Sequence, residues 1–253
     1  MHGIEAWSPP SQLRRLATEG ADLLLCVSRH TRAHVLGWAA IAPERALVVP
    51  NTVGDAFSPG DGVALRANLG LKGKRVLLTV GRMDARDRYK GHDRVIAALP
   101  GLLSQGHEIV YVVIGEGDDR QRLEAYAIEM GVAEYVRFLG GTDTQTVVEA
   151  YRMADLLVMP STGEGFGIAF IEATASGTPA LGLAVCGASD ALAHGELGTA
   201  VPETGDLITS IARRLNSPKP DSRGLSRATR ARFGRAAFAD RVRAALQRLC
   251  EAT

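Results

Sequence analysis

The stretch Leu156-Leu157-Val158-Met159-Pro160-Ser161-Thr162-Gly163-Glu164-Gly165-Phe166-Gly167-Ile168-Ala169-Phe170-Ile171-Glu172-Ala173 runs from an apolar segment through a glycine-rich turn into a helical pattern that ends near Gly177. Strand, tight turn and helix together point free backbone N–H groups and a positive helix end at an anion. Two carboxylates flank that end, Glu164 before the helix and Glu172 inside it. A carboxylate is a poor partner for phosphate and a good acceptor for sugar hydroxyls. If the helix starts near Gly167, Glu172 lies about 7 Å along it, close to the span of a diphosphate. An anion cradle with a hydroxyl acceptor on each side suits a nucleotide-sugar. The plainer alternative is an ordinary βα unit whose glutamates are solvated.

Working outward, apolar runs at 23–27, 46–49, 75–80, 109–114, 135–139, 156–159 and 179–183 read as strands. Helical patterns at 30–40, 92–105, 119–130, 144–153 and 167–176 lie between them. The alternation predicts an α/β fold, a doubly wound parallel Rossmann-like sheet with ligands at the carboxyl ends of its strands. Turn-rich sequence at 50–62 (Pro50-Asn51-Thr52-Val53-Gly54, then Ser58-Pro59-Gly60-Asp61-Gly62) reads as a hinge. Three parts follow: residues 1–50, a main domain at 51–220, and a C-terminal segment at 221–253. That last segment holds eight arginines against three acids, with Phe238, Val242, Ala245 and Leu249 at helical spacing. It reads as a basic amphipathic helix, either packed on the domain with its charges solvated or docked on an anionic membrane surface.

Composition narrows the function classes. The chain has 253 residues, 46% hydrophobic and 23% charged, with a net charge of +1. No global field calls for nucleic acid. No apolar run approaches the roughly 20 residues of a membrane helix. The start, Met1-His2-Gly3-Ile4-Glu5, lacks the regions of a signal peptide. Cys26, Cys186 and Cys250 are odd in number and not spaced as metal ligands, so a reducing cytoplasm is expected and each cysteine reads as a small buried hydrophobe. His30, His34, His92, His107 and His194 show no metal-ligand grouping, and no metal is expected.

The segment Glu164-Gly165-Phe166-Gly167, then Glu172, Ala173, Gly177 and Pro179, resembles the signature of retaining glycosyltransferases of family 4, the glycosyl transferases group 1. The resemblance covers residues 1–250 and implies the GT-B architecture, two Rossmann-like domains with the active site between them. The chain then corresponds to the C-terminal, donor-binding domain with a remnant of the N-terminal, acceptor-binding one, and roughly 120–150 residues are expected upstream. The implied activity is transfer of a hexosyl group from a nucleoside-diphosphate sugar to a hydroxyl acceptor: a glycan, a lipid-linked sugar or a small molecule. No cofactor is implied beyond that donor. The location would be cytoplasmic, with peripheral contact at the inner membrane face as an open alternative.

The resemblance also implies site residues. Glu164 would bind donor-sugar hydroxyls and Glu172 the ribose, while Gly165, Phe166 and Gly167 would touch sugar and phosphate. Gly81-Arg82 closes the run at 75–80, and Lys90-Gly91 opens the next helix. In the family such bases neutralise the departing diphosphate, where negative charge develops. Arg82 offers a two-pronged fork and Lys90 a compact charge. The intervening loop is longer than the family's, so Arg86 and Arg88 are alternatives to Lys90. His2 corresponds to a family histidine that faces the donor sugar from the N-terminal domain. Catalytic roles therefore fall to Arg82, Lys90, Glu164 and His2. No nucleophile is named, because the family view is front-face attack with the leaving phosphate taking the acceptor's proton.

Gly115-Glu116-Gly117 resembles the family's strand-end Gly-x-Gly, and it is not a dinucleotide fingerprint, since no third glycine follows. Cys186-Gly187-Ala188-Ser189-Asp190 matches the family's Gly-Gly-x-x-Glu only in part. Two other readings stand beside the enzyme. One is a donor-binding module with no turnover unless an acceptor domain is supplied. The other is an epimerase or phosphorylase on a related fold, although nothing resembles a phosphorylase's pyridoxal-phosphate lysine site.

Overall fold

The computed structural model describes residues 1–251, the side chain of Ile4 apart. Strand β1 (Leu24–Cys26), helix α2 (Arg29–Trp38) and strand β2 (Ala46–Val48) follow a first helix, α1 (Gln12–Gly20). β1 and β2 pair in parallel as a separate two-stranded sheet. Its small core gathers Ala6, Leu24, Cys26, Val35, Trp38, Ala39 and Ala46. Ser28 caps α2 by accepting from the Thr31 N–H, which closes the strand-to-helix turn.

The main domain begins with α3 (Val63–Asn68) and carries strands β3 (Arg75–Val80), β4 (Ile109–Ile114), β5 (Val136–Gly140), β6 (Leu156–Met159), β7 (Ala180–Leu183) and β8 (Thr199–Val201). Its helices are α4 (His92–Ser104), α5 (Arg120–Glu129), α6 (Thr144–Met153), α7 (Ile168–Ala175), α8 (Cys186–Ala191) and α9 (Leu207–Asn216). The strands form one parallel sheet in the order β5-β4-β3-β6-β7-β8. Strand order reverses between β3 and β6, and in a doubly wound sheet a ligand crevice opens at that point.

Alternation along buried strands supplies two cores. Val76 and Leu78 of β3 face one side with Tyr151, Phe170 and Ile171 of α6 and α7. Leu77 faces the other side with Val95, Ile96 and Leu99 of α4, Leu123 of α5 and Ile211 of α9. Side chains alternate across a strand, so a sheet covered on both faces needs strands apolar throughout. β4, β6 and β7 are buried along their whole length. A polar chain through this core is satisfied: Tyr111 OH donates to Thr79 Oγ1 (2.8 Å), and Thr79 donates to the Val158 carbonyl (2.6 Å).

Three expectations need correction. β8, α1, α3, α8 and α9 are additional to the predicted elements; β8 has only three residues, too few for a period to show. The C-terminal segment is two helices, α10 (Ser222–Phe233) and α11 (Arg235–Glu251), separated by an extended Gly234. Ser226, Thr229 and Phe233 of α10 are buried, and α10 packs on α7. Of the predicted stripe on α11 only Ala245 is buried, because α10 already occupies the domain surface. Finally, Cys26 alone is the buried cysteine expected; Cys186 is half-buried and Cys250 exposed. The turn-rich 50–62 segment is strapped to the end of α10, where Thr52 Oγ1 and the Val53 N–H both donate to the Phe233 carbonyl (2.9 and 2.8 Å).

Candidate functional site

The turn after β6 reaches the crevice through close backbone contacts that only glycine permits. A Cβ on Gly165 would lie 2.1 Å from the His2 carbonyl oxygen, and one on Gly187 would lie 2.2 Å from the Gly165 oxygen. Gly167, at φ +94, turns the chain into α7. The Gly187 N–H donates to the Glu164 carbonyl (2.8 Å). The Glu164 N–H in turn donates to Cys186 Sγ (3.3 Å). Cys186 itself sits at φ +49, in the left-handed region, which explains why the family pattern carries glycine there.

These contacts frame a hollow of about 320 Å³ at the switch point. Its lining includes His2, Lys90, Glu164 and the backbone run from Gly165 to Ala169, with Asn51 from the segment after β2. Lys90 Nζ donates to Glu164 Oε1 at 3.0 Å, and both side chains are nearly buried, at 13% and 11% exposed. The long loop before Lys90 is taken up by a 3-10 segment, Ala85–Lys90, which turns the lysine back over Gly81. Arg88 is drawn the other way, donating to Asp119 (3.0 Å), and of the bases in this loop Lys90 lines the hollow.

Arg82 stands outside this hollow. Its guanidinium pairs with Asp87 (2.6 Å) and Asp84 (3.3 Å) and is 69% exposed. Gly115 and Gly117 (φ +144 and +155) press against Gly81 and Met83, and the Met83 N–H donates to the Glu116 carbonyl (2.7 Å). The Gly-x-Gly pair thus shapes the Arg82 loop. Phe166 is buried with its ring edge-to-face on Phe233, centroids 5.4 Å apart, so its ring belongs to the core.

Glu172 is not part of the hollow's lining. It stands four residues after Ile168 and three after Ala169, which places it one turn further along the same face of α7. Tyr151 OH donates to its Oε2 (2.9 Å), and burial holds its carboxyl above the ordinary range. Tyr151 in turn has its phenol pushed well up by burial and by the neighbouring Glu172.

His2 is held by Glu5, a residue outside the motifs above. Glu5 Oε1 accepts from the His2 N–H (2.7 Å) and the Gly3 N–H (2.9 Å), fixing the turn that lies on Gly165. Burial works against the Glu5 charge, yet the amides of Glu5, His2 and Gly3 outweigh it and hold the carboxyl below the usual range. The signal was present as an acid within three residues of free N–H groups. Asn51 and Tyr151 carried no local signal. Asp190, on α8, binds Arg29 through the backbone N–H (2.9 Å) and the guanidinium (3.0 Å) and so links the main domain to α2.

Known proteins resemble this chain in sequence and in fold. Residues 64–239 match the family described as glycosyl transferases group 1. The chain is 32% identical over 213 residues to D-inositol 3-phosphate glycosyltransferase 2 of Catenulispora acidiphila, covering 79% of this chain and 49% of that protein. It is 32% identical over 231 residues to the GDP-mannose-dependent alpha-(1-6)-phosphatidylinositol monomannoside mannosyltransferase of Mycolicibacterium smegmatis, covering 85% and 59%. The chain therefore spans about half the length of the curated relatives it matches. Sucrose-phosphate synthase of Thermosynechococcus elongatus superposes with a TM-score of 0.80 at 27% identity, over 95% of this chain and 61% of that one. Anabaena HepE, solved with UDP and glucose, superposes at 0.81 over 97% and 70%; at 20% identity that likeness speaks for the fold. The matched stretch runs from α3 into α11 and contains the whole main sheet with its glycine turn, and by that match the chain belongs to the glycosyl transferases group 1 family.

Proposed function

We propose that this chain is the donor-binding half of a retaining glycosyltransferase, which moves a hexosyl group from a nucleoside-diphosphate sugar to a hydroxyl acceptor. The observation that carries the reading is the Lys90–Glu164 pair, which brings the ends of β3 and β6 together over a glycine-rich helix entrance. The backbone N–H groups at the start of α7 and the Lys90 ammonium offer positive charge to a diphosphate. Glu164, with one oxygen on Lys90, keeps acceptor capacity for sugar hydroxyls. Glu172, one turn on, would take ribose hydroxyls.

Departure of the nucleoside diphosphate builds negative charge on its oxygens. Lys90 is already in place for it. Arg82 is exposed, and exchanging Asp84 and Asp87 for phosphate would bring it in. Glu164 is committed to an ion pair, which suits a binding group better than a nucleophile. His2 also lines the hollow, and its ring would hydrogen-bond the sugar.

Support also comes from the relatives. One is named as GDP-mannose-dependent, and Anabaena HepE was solved with UDP-glucose. The test is calorimetry with UDP, GDP and their hexose conjugates on wild type, Lys90→Ala and Glu164→Ala. Lys90→Ala should weaken both nucleotide and nucleotide-sugar. Glu164→Ala should weaken only the sugar conjugate. Equal affinities across the three proteins would remove the proposal. A transfer or donor-hydrolysis assay on the 253-residue chain then separates an active enzyme from a binding module.

A further inference from the structure

A second charged hollow lies away from the glycine turn, where the first 50 residues meet the C-terminal helices. It measures about 180 Å³ and is lined by Arg29 of α2, Asp190 of α8, Arg232 and Phe233 of α10 and Arg241 of α11. We propose that this hollow binds a small phosphate-bearing anion, either inorganic phosphate or a soluble phosphomonoester.

The charges around the hollow do not balance. Arg29 is paired with Asp190 (3.0 Å), and Arg232 with Glu196 (3.0 Å). Arg241 has no carboxylate within ion-pair distance among the described residues; its Nη1 donates to the Arg232 carbonyl (2.7 Å). The fold thus holds a third guanidinium beside Arg232 with only a neutral acceptor. Burial and the Arg232 charge both disfavour its ionised form. Bringing like charges together in a partly dry site costs free energy, and an anion between them returns it. A guanidinium carries five N–H groups in a fork suited to phosphate oxygens, and the bonds described occupy only some of them.

Size and position narrow the ligand. The cavity is smaller than the roughly 300–1,000 Å³ of sites that take larger organic ligands. Asp190 also lines it, so a dianion is accommodated only where its oxygens face the arginines. The three arginines come from three helices, one of them in the N-terminal unit, and Pro50 of the connecting segment also lines the hollow. A bound anion would therefore tie α2 to α10 and α11 next to the strap between Val53 and Phe233.

The test is isothermal titration of the full chain with inorganic phosphate, ionic strength being held constant with chloride. Glycerol 1-phosphate and phosphatidate-containing vesicles form separate arms. Wild type and Lys90→Ala should both take up phosphate and the small ester, because the glycine-turn hollow is not involved. Arg241→Gln should bind at least tenfold more weakly. Arg29→Gln, altered on the exposed face of another helix, should do the same and carries the test if Arg241→Gln does not fold. No uptake above the chloride control, uptake unchanged in both arginine variants, uptake lost in Lys90→Ala, or binding to vesicles alone would each overturn the proposal.

Discussion

The Tyr151 hydroxyl donates to Glu172 Oε2 at 2.9 Å, so the end of α6 orients the carboxylate that stands one turn beyond the hollow. Tyr151→Phe should leave the core packed but the carboxylate less well held. A net hydrogen bond contributes about 1 kcal/mol, so nucleoside-diphosphate affinity should drop about fivefold. Calorimetry with UDP and GDP reads this directly, and an undiminished affinity would separate Glu172 from nucleotide binding.

Glu172→Gln carries an opposite pair of effects. Burial raises the Glu172 carboxyl above its ordinary value, so the folded protein bears a cost for the charged form. The raised group stabilises the fold most below its unfolded pKa, and that contribution is lost as pH climbs through the folded value. The neutral amide should therefore unfold at a higher temperature than wild type near pH 8 and match it near pH 4.5. Nucleotide binding should weaken in the same variant. Melting curves across that pH range check the sign.

His92, at the start of α4, is buried, and its Nε2 has no hydrogen-bond partner. Burial, aided by the nearby Lys90 charge, pushes its pKa down to about 4. The unfolded chain takes up this proton near pH 6.5, well before the folded one does. Stability contributed above pH 6.5 should thus fall away between pH 6.5 and about 4, by roughly 3 kcal/mol in all. In His92→Leu that part of the pH dependence should vanish. Urea unfolding at pH 4.5 and pH 7 measures the difference.

Glu5→Ala removes the acceptor of the His2 and Gly3 amides. The turn over Gly165 should loosen, taking His2 from the hollow. Affinity for a nucleotide-sugar should fall severalfold while that for the bare nucleoside diphosphate stays level, given about 1 kcal/mol per bond. A parallel loss for both ligands would mean that the turn matters only for folding.

Gly187→Ala tests the loop packing without touching a charged group. Its Cβ would lie 2.2 Å from the Gly165 carbonyl oxygen, a backbone atom that cannot swing aside. Overpacking of this kind costs about 1–3 kcal/mol. Thermal unfolding should show the loss, and donor binding should weaken along with it as Glu164 is displaced.

Much was legible in the chain itself. Seven apolar runs separated by amphipathic stretches sufficed for a parallel sheet, because strands buried on both faces read as continuous hydrophobicity. The glycines of the 163–167 turn and the two glutamates were visible because backbone freedom and charge are properties of single residues at fixed spacing. What the chain could not display was which distant groups meet. Lys90 and Glu164 are separated by 74 positions, and only the strand order brings them to 3.0 Å. Arg82 has the right residue type at the right strand end, yet the tertiary structure turns it to Asp87, since a nearby acid competes for an exposed guanidinium. Tyr151, Asn51 and the arginines of the second hollow entered through packing alone. Periodicity and residue chemistry are local and decide elements and candidates; side-chain partners depend on the three-dimensional distances that the sheet order imposes.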